Sequence, residues 1–553
     1  GFWGPGSAMA KKGLEVCLGV PSEFSSAVPD DTCEFSFYMP DDISAFPPDF
    51  PNASAASSTD SDEDSWKDMI DRYSEFLIEM QATRPEILRG IRTFEVLREG
   101  PRRWIKGDLH GLHARTEVVT ELDEFWSHSW QLRPLTKYAS LLFVSNGFPA
   151  FVVGTASAFV PFALFAAGIF PWDARQERLC TLCGAVGYYL TLLLWRQRTK
   201  IFLDIACINQ TDPQEKAEGL ISLGAFLKNS RSLLVLWDTT LVSRLWCIFE
   251  MAAFLRSHGL DSQRKSFVIC PIFAGLAYLV GNFGLCLLCL IFSYSLSLMP
   301  LFPYGGMVMS ALAFPCLTSL AYVVLLHYRN VDTVQRQLRH FKIRDASSAC
   351  CAYNHVNPET GEQIFCDRNI ILRCISAWFG STDDFESAVR GRVRDALVGE
   401  LANRTFTYWR IVQATCPILW MGLDLLTNDI VETPNIILSI ILYWLIVVPN
   451  VALVVLRLCY MAKLLCDGRF VRALLAIGFV ATGVLMFGTC FASQMICLPV
   501  FLRQYFGPDP AKHTNAWVLS TVVHICILGP CSLLLWRRVP EIHAESPSAG
   551  SGG

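Results

Sequence analysis

The chain has 553 residues, of which 52% are hydrophobic and 17% charged, with a mean hydropathy of +0.35. Soluble domains carry about 25% charged residues, and here the shortfall falls in long apolar runs, the mark of membrane helices. A net charge of −4 offers no basic surface for nucleic acid, and the 21 cysteines lie largely in apolar runs, without the spacing of a disulfide framework.

Residues 1–65 are rich in Ser, Pro, Asp and Glu and read as a disordered acidic tail with no secretory-signal pattern. Residues 66–146 form a first cytosolic segment, in which 124–130 (EFWSHSW) has strand character. A membrane hairpin is expected over 147–195 and a second cytosolic segment over 196–270. There, 200–208 (KIFLDIACI) reads as a buried strand, and Asp212, Pro213 and Glu215 supply an N-cap, a first-turn proline and a third-position acid for a helix. Ala217, Leu220, Ile221, Gly224 and Leu227 continue that helix at helical spacing. A strand at 232–237 (SLLVLW), a helix over 241–256 and a strand at 265–272 (KSFVICPI) follow, the last running straight into the next span.

A second membrane hairpin covers 271–327, a third cytosolic segment 328–407, four more membrane helices 408–536, and a short disordered tail 537–553. A span needs about 20 apolar residues. Eight are expected, at 147–170, 178–195, 271–296, 306–327, 408–427, 436–457, 471–497 and 516–536, with a buried or re-entrant hairpin as the alternative for the first pair, where Gly147, Pro149, Gly154 and Pro161 interrupt the first run. Lys and Arg gather on alternate loops: Arg196, Arg198 and Lys200, then Arg329, Arg336 and Arg339, then Arg404 and Arg410, then Arg457, Lys463, Arg469 and Arg472, then Arg537 and Arg538. The 297–305 and 428–435 loops carry none, and the other two opposite loops carry Arg175, Arg178, Arg503 and Lys512. The positive-inside rule then puts both termini and all large loops in the cytosol. The organelle is left open.

Strands alternating with helices, with near-continuous apolar strands, predict a parallel sheet covered on both faces. Ligands of such sheets bind at the carboxyl ends of the strands, where Ser127, His128, Asp204, Trp237 and Asp238 fall. The order of elements, with Trp246-Cys247-Ile248-Phe249-Glu250 after the SLLVLW strand, resembles a Toll/interleukin-1 receptor (TIR) domain, of the kind found in multi-span membrane proteins of protists. The resemblance covers about 120–138 and 199–272. It implies a cytosolic flavodoxin-like α/β domain interrupted by membrane helices, with the family's last strand and helix to be sought from residue 328 onward. It further implies a signalling or interaction role through self-association. Some members of the family hydrolyse the nicotinamide–ribose bond of NAD with the glutamate of the W-C-x-x-E helix. By that resemblance Glu250 is the candidate catalytic residue, with Ser127, His128, Asp204 and Trp246 as ligand-binding candidates and NAD as candidate substrate. The residues themselves equally allow a packing role for Trp246, a structural role for Glu250 and a capping role for Asp204.

The third cytosolic segment carries Cys350, Cys351, His355 and Cys366 around a Pro/Gly turn, a donor set suited to structural zinc, although the spacing fits no standard finger; a reduced packed loop is the alternative. Residues 385–401 form an amphipathic stretch with Phe385, Val389, Val393 and Leu397 on one face, suited to the sheet or to the lipid surface. The competing function is a transporter or channel with a cytosolic regulatory domain, because Asp424, Asn450 and His524 fall inside predicted spans.

Overall fold

Six strands build one mixed sheet: β1 (Arg89–Arg92), β2 (Glu117–Val118), β3 (Leu122–His128), β4 (Lys200–Phe202), β5 (Ser230–Trp237) and β6 (Phe267–Pro271), in the order β2-β1-β4-β3-β5-β6. The computed structural model describes residues 71–538 except 72–73, 107–108, 129–133, 170–177, 260–266, 299–303, 353, 357–365, 427–432, 466–467 and 507–509. The expected acidic tail 1–65 and nearly all of the expected tail 537–553 lie outside the described residues. β3 pairs in parallel with β4 and with β5, and β5 in parallel with β6. Phe125 sits opposite Phe202 in the register, and their rings stack at 4.5 Å. Every residue from Leu233 to Trp237 is buried, because helices cover both faces of β5.

The antiparallel edge is a departure from the all-parallel expectation. β1 pairs antiparallel with both β4 and β2. Its sequence, Arg-Gly-Ile-Arg, is too short and too charged to read as a strand. β4 also stops earlier than expected. After Phe202 and Leu203 the chain turns into a single helical turn, Asp204–Cys207, whose Ile205 N–H donates to the Asp204 carboxylate at 2.7 Å. Among the described residues no strand follows β6, so the strand sought beyond residue 328 is absent there and helices take its place.

The principal helices are α1 (Pro134–Ala166), α2 (Leu179–Leu194), α3 (Pro213–Ile221), α4 (Leu223–Lys228), α5 (Leu245–His258), α6 (Ile272–Leu298), α7 (Tyr304–Arg339) and α8 (Asp367–Phe379). Asp212 caps α3 as its sequence predicts, accepting from the amides of Gln214 at 2.9 Å and Glu215 at 3.4 Å. The expected single helix divides at Ser222 into α3 and α4. In the amphipathic stretch, Phe385, Val389, Val393 and Leu397 are buried, and they line one small apolar cavity with Met251 and Leu255 of α5 and Leu338 of α7. That face therefore packs on protein, not on lipid.

Six helices among the described residues are long and apolar enough to cross a membrane: Pro134–Ala166, Ile272–Phe292, Ala311–Arg339, Ile436–Leu465, Arg469–Leu502 and Asn515–Trp536. The first starts well before its expected boundary at 147. Two expected spans fall short of this standard. α2 has 16 residues. The 408–427 run is broken into Tyr408–Ala414 and Pro417–Leu426, as Pro417 has no N–H to continue the first helix. β6 passes directly into α6, and there Ser140 of α1 donates to the Ile272 carbonyl at 2.5 Å. Any side chain on Gly275 would overlap the Ser140 backbone, so the two helices cross in close contact at this point.

Candidate functional site

The parallel pairing brings the carboxyl ends of β3, β4 and β5 side by side. Ser127 and His128 lie opposite Val235 and Leu236 of β5. Asp204 follows β4, and Asp238 follows β5, where its carboxylate accepts from the Thr240 amide at 3.2 Å and its hydroxyl at 2.8 Å. α5 then crosses behind these ends. The Ser127 hydroxyl donates to the Glu250 carboxylate at 2.5 Å, joining residues 123 positions apart. Four sequence-predicted residues, Ser127, His128, Asp204 and Glu250, thus fall in one cluster, with Asp238 beside them.

Two cations complete it. Arg244 stands one residue before α5, where its charge acts on Glu250, Asp238 and His128. Lys137, in the first turn of α1, is 5% exposed and its charge reaches His128. Nothing in the chain order hints at this role for Lys137, because a lone lysine before an apolar run reads as a membrane-edge anchor. Ser127 is buried as well, whereas Glu250, Asp204 and His128 are half-buried.

The electrostatics follow from this crowding. Burial raises the Glu250 carboxyl to about 8; the bond from Ser127 opposes the rise and the Asp204 carboxylate adds to it. Burial, with the Lys137 ammonium beside it, holds His128 well below its usual range and keeps the imidazole neutral. Burial also raises Asp238, against the bonds from Thr240. The Cys247 thiol is pushed up by burial and by the neighbouring Glu250, so it is no thiolate nucleophile. The cluster offers a neutral carboxylic acid hydrogen-bonded to a hydroxyl, beside two further carboxylates and two cations.

Trp246 is tied to a neighbouring helix. Its indole N–H donates to Asp367 of α8 at 3.1 Å and its ring meets Phe249 edge-on at 5.5 Å, so it fastens α5 to α8. Phe254, one turn after Glu250, is buried and stacks on His258.

A second cluster lies at the start of α8. Cys350, Cys351, His355 and Cys366 bring one sulfur or nitrogen each within 4.8 Å of all the others, a group able to hold a metal ion. The Cys351 sulfur is 3.9 Å from those of Cys350 and Cys366 and 3.6 Å from His355 Nε2. Asn354 and His355 both have left-handed backbone, φ 52° and 61°, a region that asparagine and histidine enter more readily than most residues other than glycine. The Pro/Gly turn at 358–362 lies outside the described residues.

The intramembrane candidates are tied to neighbouring helices. Asp424 accepts from the amides of Cys180 at 2.7 Å and Thr181 at 2.9 Å, and from the Thr181 hydroxyl at 2.6 Å, which makes it the cap of α2 supplied from another helix. His524 bonds the Ser520 carbonyl at 2.8 Å and the Ser493 hydroxyl at 3.1 Å. Asn450 accepts from Ser532 at 2.9 Å. Comparison of the chain with protein-family models, curated proteins and solved structures gives no match.

Proposed function

We propose that this chain is a membrane-anchored signalling and interaction protein whose sheet is a cytosolic, flavodoxin-like TIR-like domain, with Glu250 at a site for cleaving the nicotinamide–ribose bond of NAD. The observation that carries the reading is the 2.5 Å bond between Ser127, at the carboxyl end of the central strand, and Glu250, on the helix after β5. The parallel strands support it, since their spatial order is second, first, third, fourth along the chain, the flavodoxin-like order. Cleavage of this bond develops oxocarbenium character at the ribose, which a carboxylate alongside stabilises. A neutral Glu250 is suited to this in one respect: an arriving nicotinamide cation would draw out the negative form only when substrate is bound. Lys137 and Arg244 offer the positive charge that phosphates require. The Cys/His cluster belongs to the same reading as a structural zinc site. Asp424, His524 and Asn450, each bonded across helices, favour an anchoring membrane region over a conducting one.

The test is NAD turnover by protein reconstituted densely in liposomes, so that neighbouring domains can associate, alongside a dilute detergent sample. Clustered wild-type protein should turn NAD over, and Glu250→Ala should lower the rate by about 100-fold or more. Clustered wild-type protein with no turnover ends the hydrolase reading and leaves the interaction reading in its place.

A further inference from the structure

We infer that Cys350, Cys351, His355 and Cys366 hold one Zn²⁺, and that this ion clamps the first turn of α5, the helix that carries Glu250. The inference rests on the zinc reading above and extends it to control of the Glu250 site. The geometry of the donors carries the first half. In a tetrahedral site with Zn–S near 2.3 Å and Zn–N near 2.0 Å, sulfurs stand about 3.8 Å apart, and sulfur and nitrogen about 3.6 Å. The three separations that involve the Cys351 sulfur are 3.9, 3.9 and 3.6 Å, and the other three lie within 4.8 Å. Three thiols and an imidazole make one of the standard structural zinc sets, and Zn²⁺ would displace the three thiol protons on binding.

The second half rests on what flanks the ligands. Three residues before Cys350, Ser347 forms a parallel bridge with Arg244. The Ser347 carbonyl accepts from the Leu245 amide at 2.9 Å, and its amide donates to the Ser243 carbonyl at 2.6 Å. Directly after Cys366, Asp367 accepts from the Trp246 indole at 3.1 Å. Arg368 ties the two flanks together, donating to the carbonyls of Arg344 and Ala346 at 2.8 and 2.6 Å. Both ends of the ligand-bearing segment therefore grip Arg244, Leu245 and Trp246. Glu250 follows one turn later on the same helix, so a fixed first turn fixes the Ser127–Glu250 geometry.

The test uses the full chain in lipid nanodiscs and needs no NAD turnover, so it stands or falls separately from the hydrolase reading. Metal analysis should give about one zinc per chain, with a clear loss in Cys366→Ser and in His355→Ala. Removing zinc from wild-type protein with a chelator should speed hydrogen exchange at the Leu245 amide and through 245–250 by about tenfold or more, while β3 and β5 stay protected. Adding Zn²⁺ back should restore protection, which separates unclamping from misfolding of a variant. Protein that binds no zinc, or zinc removal that leaves exchange over 245–250 unchanged, overturns the inference.

Discussion

Glu250 illustrates how one residue's surroundings set its chemistry. Its carboxyl ionises near 4.5 in an unfolded chain and near 8 in the folded protein, with burial as the leading cause. Between those pH values the folded state holds the extra proton, so this group's contribution to stability is complete below about pH 4.5, falls as pH rises, and is gone above about pH 8. Glu250→Gln keeps a neutral acceptor for Ser127 and has no proton to lose. The variant should therefore lie within about 1 kcal/mol of wild type at pH 5 and exceed it at pH 9 by on the order of 2 kcal/mol once partial exposure is allowed for. Denaturation of both proteins at the two pH values checks this. Equal differences at pH 5 and pH 9 would mean that Glu250 is ionised throughout and that the site is wetter than its packing implies.

At the scale of elements, the sequence was most legible where local signals and burial agree. The cap at Asp212, the apolar run of β5 and the four-residue face from Phe385 to Leu397 all appear where their patterns place them. It was least legible where an element depends on remote partners. β1 exists because β4 and β2 lie on either side of it, and nothing in its four residues says so. Strand-end residues were legible as a group because parallel topology gathers them, whereas Lys137 joins them only because α1 sets out a few residues after β3 ends. Asp424 is the sharpest case. A carboxylate in an apolar run reads as functional, yet it closes the start of α2 through three hydrogen bonds. Asp424→Ala should destabilise the protein by about 2–4 kcal/mol, because two helix-start amides and a hydroxyl lose their acceptor away from water. Asp424→Asn, which keeps one acceptor oxygen, should lie between. Thermal melts of the purified variants measure this, and an unchanged melt for Asp424→Ala would return the residue to the list of functional candidates.

For the molecule as a whole, strand pairing constrains the path through the membrane more tightly than hydropathy does. The chain leaves the sheet after β3, runs through α1 and α2, and returns to pair β4 with β3. It leaves again after β6 and is back by Ser347, which bonds Leu245. Each excursion must end on the side where it began, so each makes an even number of crossings. α1 and α2 run antiparallel, with Asn146 near the sheet donating to the Leu192 carbonyl, which puts the start of α2 at the distant end. Asp424 meets that start. The broken run 408–426 sets out beside α6, where Tyr278 donates to the Thr405 carbonyl and Asn282 to that of Ala414. It therefore travels from the sheet side to the distant end despite its break at Pro417. The two elements that fail the length standard are thus each other's partners, and the packing favours eight passes over six. If so, a glycosylation cassette inserted into the 428–435 loop should be modified in a membrane that glycosylates, while the native acceptors Asn52, Asn209 and Asn403 stay bare on the positively charged side. An endoglycosidase mobility shift reads both. Asn209 is the decisive site, because its side chain donates to Glu215 at 2.9 Å on the sheet domain itself; glycan there would put the entire α/β domain, and the site around Glu250, on the opposite side of the membrane.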